Sequence, residues 1–470
     1  MMWKRKQKHD EDDAFVRPSS RLALFQRKAR ADFTTQKKMA IMGAMLVLIL
    51  SLFLTVAALK NNVQTQPVGQ ARTALPMTLQ VAARNAIVID AKTGQVLGEK
   101  GADKQIGIAS QSKMLTAYGI LQGIKKKRFT WDSLVTITQQ SDWSQKDTAT
   151  FSHLEISAGQ KIAVKELFAA MFTSSANDAA LALADFAKEQ NQTQQQALEG
   201  WAKDLKLTGS KWYNAAGQVN KDAFDYQVKN TDPNAENTAS VKQLAILAYQ
   251  IIREDPNIRS YYEKRGLVYH PSANETKIKL TEGAKFDQEI KAKLSNSKNL
   301  IFEGLKTGST PASGGALTGL IKDQSGHEFI TVVSGAGRYT DQVQRYQNTI
   351  DVVNQVLDHY TPVTYQKGQA VTKNQFKNKN LAGGHQNLVI GQSRTFWLTK
   401  GQTAVGYQRP SRLQSTVTKK GATVLTAQPT LKAKFLPEVS AKEQTLQLVN
   451  QQTYHLGHWW QKIYHWLKFW

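Results

Sequence analysis

The 470-residue chain contains no cysteine. This absence excludes disulfide bonds, thiolate metal ligands and a cysteine nucleophile, so any nucleophile must be an oxygen or an amine. The nine histidines form no H-E-x-x-H grouping, and we therefore expect no zinc site.

Acidic residues are scarce relative to basic ones. The chain has 37 aspartates and glutamates against 61 lysines and arginines, which gives a formal net charge of +24. This excess predicts contact with a polyanion, which would be nucleic acid, anionic lipid or a negatively charged wall polymer. Hydrophobic residues make up 41% of the chain, enough for real cores, and the length allows about two or three domains.

One long apolar run, MAIMGAMLVLILSLFLTVAAL, covers residues 39–59 and has the length of a membrane-crossing helix. Lysines and arginines concentrate before it, so residues 1–38 are predicted to be a basic cytoplasmic tail and the rest of the chain to be exported. The alternative is a cleaved signal, because the small residues at 56–58 resemble a processing site. In either case most of the protein works outside the cell, which argues against nucleic acid as a partner.

The last segment, residues 450–470, predicts an amphipathic helix. Tryptophan, leucine and isoleucine recur there at three- and four-residue steps, and the lysines fall mostly between them. We expect this helix to lie in the membrane interface, with its tryptophan rings at headgroup depth and its lysines near anionic lipid. The alternative is a terminal helix packed on the protein's own core.

Between these ends the composition changes in steps. Residues 60–75 read as a polar linker, and residues 76–360 mix helical and strand-like patterns, which indicates an α/β or α+β domain. After a second linker at 361–372, residues 373–449 contain short runs separated by turn residues, which predicts a small all-β domain. This domain would serve as a spacer above the membrane or as a protein-docking module.

A serine and a lysine three residues apart open a helical run at Ser110 and Lys113. Residues at this spacing share a helix face, so the amine can reach the hydroxyl and take its proton if burial and nearby cations lower its pKa. The same spacing recurs at Ser295 and Lys298, in a polar stretch that we interpret as a surface loop.

A second pair, Ser175 and Asn177, opens another apolar helix. The hydroxyl is suited to relaying a proton and the carboxamide to holding a substrate amide. The alternative is that Ser175, Asn177 or Asp178 simply caps the helix, as these residue types do well.

The letters K-T-G occur twice. Lys92 begins the first copy, at the tip of a predicted hairpin, and Lys306, Thr307 and Gly308 form the second copy, at the end of a strand-like run. Neither copy decides a function by itself, because a Thr-Gly pair behind a lysine is an ordinary way to leave a strand.

The order S-x-x-K, S-x-N, K-T-G resembles the motif set of penicillin-recognising serine enzymes, in which the three motifs converge on one cleft. The surrounding text, "AIVIDAKTGQVLGEKGADKQIGIASQSKMLTAY", "TSSANDAALALADFA" and "IFEGLKTGSTPASGGALTG", is most similar to the D-alanyl-D-alanine carboxypeptidase family of low-molecular-mass penicillin-binding proteins. The resemblance implies the transpeptidase fold shared with serine β-lactamases over residues 76–360, followed by a small β-domain and an amphipathic C-terminal helix. It assigns the second K-T-G to the site and the first to a turn.

The resemblance also implies roles. Ser110 is acylated by the penultimate D-alanine carbonyl, and Lys113 is its general base. Ser175 and Lys306 pass the proton to the leaving amine, and Asn177 aligns the peptide.

Further implied roles concern the substrate's charges. Backbone N–H groups of Ser110 and Ser309 form the oxyanion hole, and Thr307 in the Lys306–Gly308 motif holds the substrate carboxylate. Arg345 either assists there or is an ordinary solvent-facing helix arginine. The implied partners are stem peptides ending in D-Ala-D-Ala and β-lactam antibiotics, beside membrane lipid at both chain ends and anionic wall polymers; no metal or organic cofactor is implied.

Two positions and one short stretch depart from the family pattern. Ser309 stands where histidine is common, Ala176 where glycine is usual, and the stretch from Asn214 to Gly217 is a degenerate version of a family motif. The first two changes leave the backbone N–H and the reactive groups in place, so they affect expected efficiency more than reaction class.

Two other readings remain at this point. A serine β-lactamase forms the same acyl-enzyme but hydrolyses it quickly, commonly through a glutamate-activated water, and no convincing glutamate motif lies between Asn177 and Lys306. A noncatalytic, membrane-tethered wall-binding scaffold would keep the fold without needing the full set of reactive side chains.

Overall fold

The computed structural model describes residues 72–148, 150–311, 313–402, 405, 412–437, 439 and 444–468. The predicted cytoplasmic tail, membrane segment and most of the first linker lie outside the described residues. Within the described part, no helix combines the length and the apolar character needed to cross a membrane.

Most α-helices of the described residues lie between residues 113 and 285, between the strands at the two ends of the large sheet's sequence. They are α1 (Lys113–Lys125), α2 (Val164–Thr173), α3 (Asn177–Ala187), α4 (Gln194–Asp204), α5 (Val241–Glu254), α6 (Arg259–Glu263), α7 (Glu282–Lys285), α8 (Gln342–His359) and α9 (Trp459–Lys468).

The strands concentrate at the beginning of the described chain and after residue 300. They are β1 (Arg72–Ala74), β2 (Met77–Thr78), β3 (Asn85–Asp90), β4 (Gln95–Lys100), β5 (Ile106–Gly107), β6 (Leu134–Thr136), β7 (Lys161–Ala163), β8 (Thr238–Ala239), β9 (Gly266–Ser272), β10 (Glu275–Leu280), β11 (Ile301–Thr310), β12 (Gly314–Lys322), β13 (Glu328–Ser334), β14 (Tyr360–Tyr365), β15 (Ala370–Asn378), β16 (His385–Ile390), β17 (Arg394–Thr399), β18 (Arg412–Leu413), β19 (Thr423–Ala427), β20 (Leu431–Phe435) and β21 (Leu446–Asn450).

The largest sheet has the strand order β1-β20-β4-β3-β13-β12-β11, and β2 adds to it beside β4. Every residue of β3 is buried, as expected for a continuous apolar run that is covered on both faces. Ile87 and Ile89 pack with the helical region that includes α1, α3 and α5, whereas Ala86 and Val88 pack with α8 on the other face. Strand β11, which carries the second K-T-G, forms one edge of this sheet.

A second sheet has the order β18-β15-β16-β21-β19 and encloses its own small core. The β-rich region, residues 360–450, nevertheless packs against the large sheet. Strand β20 pairs beside β4 in that sheet, and Trp397 lies in the core beneath α8. The indole Nε1 of Trp397 donates to Asp90 Oδ2 at 2.8 Å. Residues 68–465 form one compact unit, so the division into two domains at residues 361–372 stays a prediction.

The terminal helix α9 exposes most of its large apolar side chains. Trp459 is 74% exposed, and Trp460, Ile463 and Leu467 are each at least half exposed. Its buried contact is polar, since His465 Nε2 lies 3.0 Å from the carbonyl oxygen of Ala382. Within Trp459–His465, the large apolar side chains are therefore exposed and the His465 side is the one that packs.

Candidate active site

Ser110 lies in a single 3₁₀ turn, Ala109–Ser112, that leads directly into α1. Ala109 has a φ of 48°, an uncommon conformation for a residue with a Cβ, and the Ser112 hydroxyl donates to the Ala109 carbonyl at 2.6 Å. Gly217 packs on this carbonyl so closely that a Cβ there would lie 2.0 Å from it. The Ser112 hydroxyl and the buried Gly217 therefore both fix the Ala109 carbonyl, and with it the turn that presents Ser110.

The Lys113 amine is the centre of the site. Its Nζ lies 2.8 Å from each of three oxygens, namely Ser110 Oγ, Asn177 Oδ1 and the carbonyl oxygen of Ala216. The side chain is completely buried. If the amine is neutral, it donates to Asn177 and Ala216 and keeps its lone pair for the Ser110 proton, which is the arrangement of a general base.

Three effects act on the pKa of Lys113. Burial lowers it well below its ordinary value, the positive charge of Lys306 lowers it further, and the carboxylate of Asp178 opposes both by raising it. The two lowering effects dominate, so the environment favours the neutral amine.

Ser175 lies in the tight turn between α2 and α3, and Asn177 is the first residue of α3. Ser175 has a φ of 55° and is 8% exposed, and its hydroxyl makes no hydrogen bond among the described residues. The N-cap of α3 is Ala176, without a side-chain capping bond, so Ser175 and Asn177 do not serve as caps. Ala176 has extended backbone angles of −58° and 121°, and alanine in place of glycine therefore causes no strain there.

Lys306 lies in the middle of β11, where it pairs with Thr318 of β12; the strand continues past the K-T-G to Thr310 and does not end there as predicted. The side chain is 2% exposed, and its Nζ donates to the carbonyl oxygen of Thr307 at 3.1 Å and contacts Thr307 Oγ1 at 3.4 Å. Burial lowers the pKa of Lys306 to about 8; Glu282 opposes this shift and Arg345 adds to it. The site therefore contains two lysines whose protonation changes well below that of a surface lysine.

At Gly308, strand β11 packs against the turn that carries the nucleophile. A Cβ at this position would lie 2.8 Å from the carbonyl oxygen of Ile108 and 3.0 Å from Gln111 Cγ. Gln111 also donates from Nε2 to Thr318 Oγ1 at 2.8 Å, which links the turn to β12. The absence of a side chain at Gly308 lets the strand lie directly beside Ser110's turn.

Arg345 is buried beside the site and does not face solvent. It is 2% exposed, its Nη1 donates to Ser309 Oγ at 2.8 Å, and its Nη2 donates to Gln342 Oε1. The Ser309 hydroxyl in turn donates to the Gly308 carbonyl at 2.7 Å. The solvent-facing alternative is therefore wrong, and the serine that stands where histidine is common is fixed by a buried guanidinium.

Sequence reasoning missed two supports of Lys113. Asp178 is completely buried and accepts from the backbone N–H of Leu154, and burial raises the pKa of its carboxyl to about 7. Asn214 accepts from the backbone N–H of Gly217 at 2.9 Å and thereby shapes the turn that presents the Ala216 carbonyl. The degenerate Asn-x-x-Gly stretch was the available signal for the second support.

The other copies of two motifs, the K-T-G at Lys92 and the S-x-x-K at Ser295 and Lys298, lie on the surface. Lys92 is exposed in the turn between β3 and β4. Lys298 forms an ion pair with Asp358 at 2.7 Å. Among the described residues around them, no buried amine lies beside a serine hydroxyl.

Comparison with known proteins gives one family. The family profile described as D-alanyl-D-alanine carboxypeptidase matches residues 70–338. The D-alanyl-D-alanine carboxypeptidase DacC of Escherichia coli strain K12 is 24% identical over 327 residues, which cover 68% of this chain and 72% of that protein. DacA of the same strain is 29% identical over 245 residues, which cover 52% of this chain and 54% of that protein.

The fold has a solved counterpart. The crystal structure of a peptidoglycan synthesis regulatory factor (PBP3) from Streptococcus pneumoniae matches 80% of this chain and all of its own, with a TM-score of 0.67 and 20% identity. The described residues therefore share the α/β fold of a penicillin-binding protein.

Proposed function

The chain belongs to the D-alanyl-D-alanine carboxypeptidase family, and from this premise we propose that it removes the terminal D-alanine from peptidoglycan stem peptides through an acyl-enzyme on Ser110. It is a serine-type peptidase that acts on peptidoglycan. The observation that carries the assignment of the nucleophile is the 2.8 Å contact between Ser110 Oγ and the buried Lys113 amine.

Acylation follows from this contact. Neutral Lys113 takes the Ser110 proton while Oγ attacks the penultimate D-alanine carbonyl, and the oxyanion is held by the backbone N–H groups of Ser110 and Ser309. The C–N bond then breaks, and the leaving amine receives a proton through Ser175, with Lys306 close to the path. Free D-alanine leaves, and the remaining peptide stays as an ester on Ser110.

Hydrolysis of the ester reverses these roles. Water attacks the ester carbonyl, Lys113 takes one of its protons, and Ser110 regains a proton as its oxygen leaves. Thr307 and the cations Lys306 and Arg345 form the side of the site suited to the substrate's terminal carboxylate. A penicillin, which presents a carboxylate and a strained amide, enters the same chemistry.

The test compares the full-length protein in detergent with Ser110→Ala and with Ser295→Ala, which alters the surface copy of the same motif. We expect wild type and Ser295→Ala to release one D-alanine per stem pentapeptide and to hold labelled penicillin durably, and Ser110→Ala to do neither. Rapid turnover of penicillin without D-alanine release assigns the protein as a β-lactamase. Equal activity of Ser110→Ala and wild type removes Ser110 as the nucleophile.

We also propose that the protein is held at the cell membrane by both ends, with the catalytic part outside and residues 1–38 in the cytoplasm. The apolar run at 39–59 and the exposed tryptophans of α9 support this arrangement, and the net charge of +24 suits contact with anionic lipid and wall polymers.

The cysteine-free sequence makes this topology easy to test. Single variants Ser20→Cys and Lys367→Cys each carry one thiol, in the tail and in an exposed turn of the β-rich region. We expect a membrane-impermeant maleimide to label only Lys367→Cys in intact cells and both variants in permeabilised cells. Labelling of Ser20→Cys in intact cells contradicts the proposed orientation.

A further inference from the structure

A carboxylate lies at the rim of the site and has no role in the mechanism above. Glu236 precedes β8, which pairs with β5 just before the nucleophile's turn. A Cβ on Gly107 would lie 2.2 Å from Glu236 Oε1, and Thr310 Oγ1 donates to Glu236 Oε2 at 3.3 Å. Glu236 therefore spans from the strand before Ser110 to the end of β11.

Glu236 has no cationic partner within the described part of the chain. Burial raises its pKa, and the hydrogen bond from Thr310 is what opposes that shift. Other acidic side chains near the site are engaged: Asp178 with backbone N–H groups and Glu282 with Lys285 at 3.5 Å. In a chain with a net charge of +24, a half-buried carboxylate without a cation is a candidate recognition group.

The direction of the substrate places Glu236 on its acyl side. The terminal carboxylate is drawn to Lys306 and Thr307, and the scissile carbonyl lies at Ser110, beside Gly308. Thr310 lies two residues farther along β11 than Gly308, about 7 Å at the usual strand rise. An extended peptide that follows the strand therefore brings the side chain upstream of the two D-alanines towards Glu236.

We propose that Glu236 selects stem peptides whose residue immediately before D-Ala-D-Ala carries a free ammonium group on its side chain. The proposal rests on the proposed carboxypeptidase function and adds a substrate preference to it. Glu236 acts as a specificity-determining residue: its carboxylate pairs with the ammonium group and positions the acyl part of the peptide across Ser110.

The test uses two peptides that differ only in this charge, Nα-acetyl-L-Lys-D-Ala-D-Ala and its Nα,Nε-diacetyl derivative. The measured quantity is the ratio of their kcat/KM values for D-alanine release by the full-length protein. We expect wild type to favour the free amine, and Glu236→Gln to lower the ratio about tenfold, as for loss of one charged hydrogen bond. Asp232→Asn removes a carboxylate that is exposed in the same loop and is expected to keep the wild-type ratio.

A charge reversal provides the second variant. Glu236→Lys is expected to favour a peptide with glutamate in place of lysine over the lysine peptide. An unchanged ratio in both Glu236 variants, or an equal loss on both peptides, overturns the proposal, because a structural role affects both substrates alike. Slower loss of the penicillin label in Glu236→Gln also overturns it and assigns Glu236 to activation of the hydrolytic water.

Labelled penicillin separates this proposal from the proposed function. Absence of both label and D-alanine release in wild type refutes the carboxypeptidase itself. Normal labelling and release with no preference between the two peptides refutes only the role of Glu236.

Discussion

Two buried lysines share the site, and their environments give them different tasks. Lys113 contacts the Ser110 hydroxyl and is surrounded by acceptors that a neutral amine satisfies. Lys306 lies beside Thr307, where a positive charge suits a substrate carboxylate. Because burial and the positive charge of Lys306 both lower the pKa of Lys113, the site favours a neutral Lys113 beside a protonated Lys306.

The first prediction concerns the pH dependence of acylation. Lys306 must be protonated to attract a carboxylate, and its pKa is about 8, so we expect the rate of acylation by penicillin to fall above about pH 8. In Lys306→Arg the guanidinium stays charged, and this fall moves to higher pH. Stopped-flow acylation rates between pH 5 and 10 measure the effect.

The matched control is Lys92→Arg, which alters the surface copy of the same three letters and is expected to keep the wild-type profile. If the acylation rate falls at the same pH in Lys306→Arg and in wild type, this contradicts the assignment of the fall to deprotonation of Lys306.

The second prediction concerns stability. Burial holds the pKa of Lys306 at about 8 against an ordinary 10.5, so the unfolded chain binds more protons between these values and stability rises with pH across this window. The free-energy cost of burying the charged Lys306 amine is fully present below pH 8. It corresponds to roughly 3 kcal/mol at 1.36 kcal/mol per pH unit.

Lys306→Met is therefore expected to raise the free energy of unfolding at pH 7 by about 2 kcal/mol, to lose this advantage towards pH 10.5, and to abolish acylation. Urea unfolding at several pH values measures it, with the exposed Lys92→Met as a control expected to lie within about 0.5 kcal/mol of wild type. A destabilised Lys306→Met at pH 7 contradicts the prediction.

At the scale of elements, the site depends on how closely β11 lies to the 3₁₀ turn of Ser110. Gly308 and Gly217 make the two closest approaches, one from the sheet and one from the loop after α4. Because neither glycine has a side chain, β11 and the loop lie directly against the turn, and this holds the K-T-G strand and the Ala216 carbonyl beside Ser110.

The third prediction tests this approach. In Gly308→Ala the new Cβ meets the Ile108 carbonyl at 2.8 Å, so β11 must move away from the turn. We expect acylation by penicillin to slow by about 100-fold, the usual cost of displacing reacting groups by about 1 Å. Gly200→Ala is the control: its Cβ meets nothing within 4 Å in α4, and it is expected to keep the rate and stabilise the protein by about 0.5 to 1 kcal/mol. Equal rates in the two variants contradict the argument.

At the scale of the whole molecule, the β-rich region is joined to the catalytic sheet. Strand β20 pairs with both β1 and β4, and the side chain of Gln95 donates to the Trp397 carbonyl at 2.9 Å. Trp397 itself is completely buried against Phe329. These contacts couple the folding of the two parts.

The fourth prediction follows from this coupling. Trp397→Ala is expected to cost about 3 to 5 kcal/mol and to leave Asp90 without its indole partner. The midpoint of thermal unfolding, monitored by circular dichroism, and the temperature at which penicillin acylation is lost should both fall by the same amount. Trp460→Ala, at an exposed position of α9, is the control with no expected shift. Acylation that keeps its wild-type midpoint while the rest of the signal shifts shows two independent domains.

The sequence alone determined the family and the order of its motifs, since three short patterns at suitable spacings are a property of the chain, and the family profile confirms the resemblance. It also offered Ser110 and Lys113 as partners, because a three-residue spacing at the start of a helix is a local relation.

Only the tertiary structure decided which copies of each motif converge, that Arg345 is buried beside Ser309, and that Ala216 supplies an acceptor to Lys113. It also decided that β20 leaves the small sheet for the large one. The physical reason is the same in each case: burial and pairing between distant segments depend on the packing of the whole chain, and no local pattern of residue types specifies them.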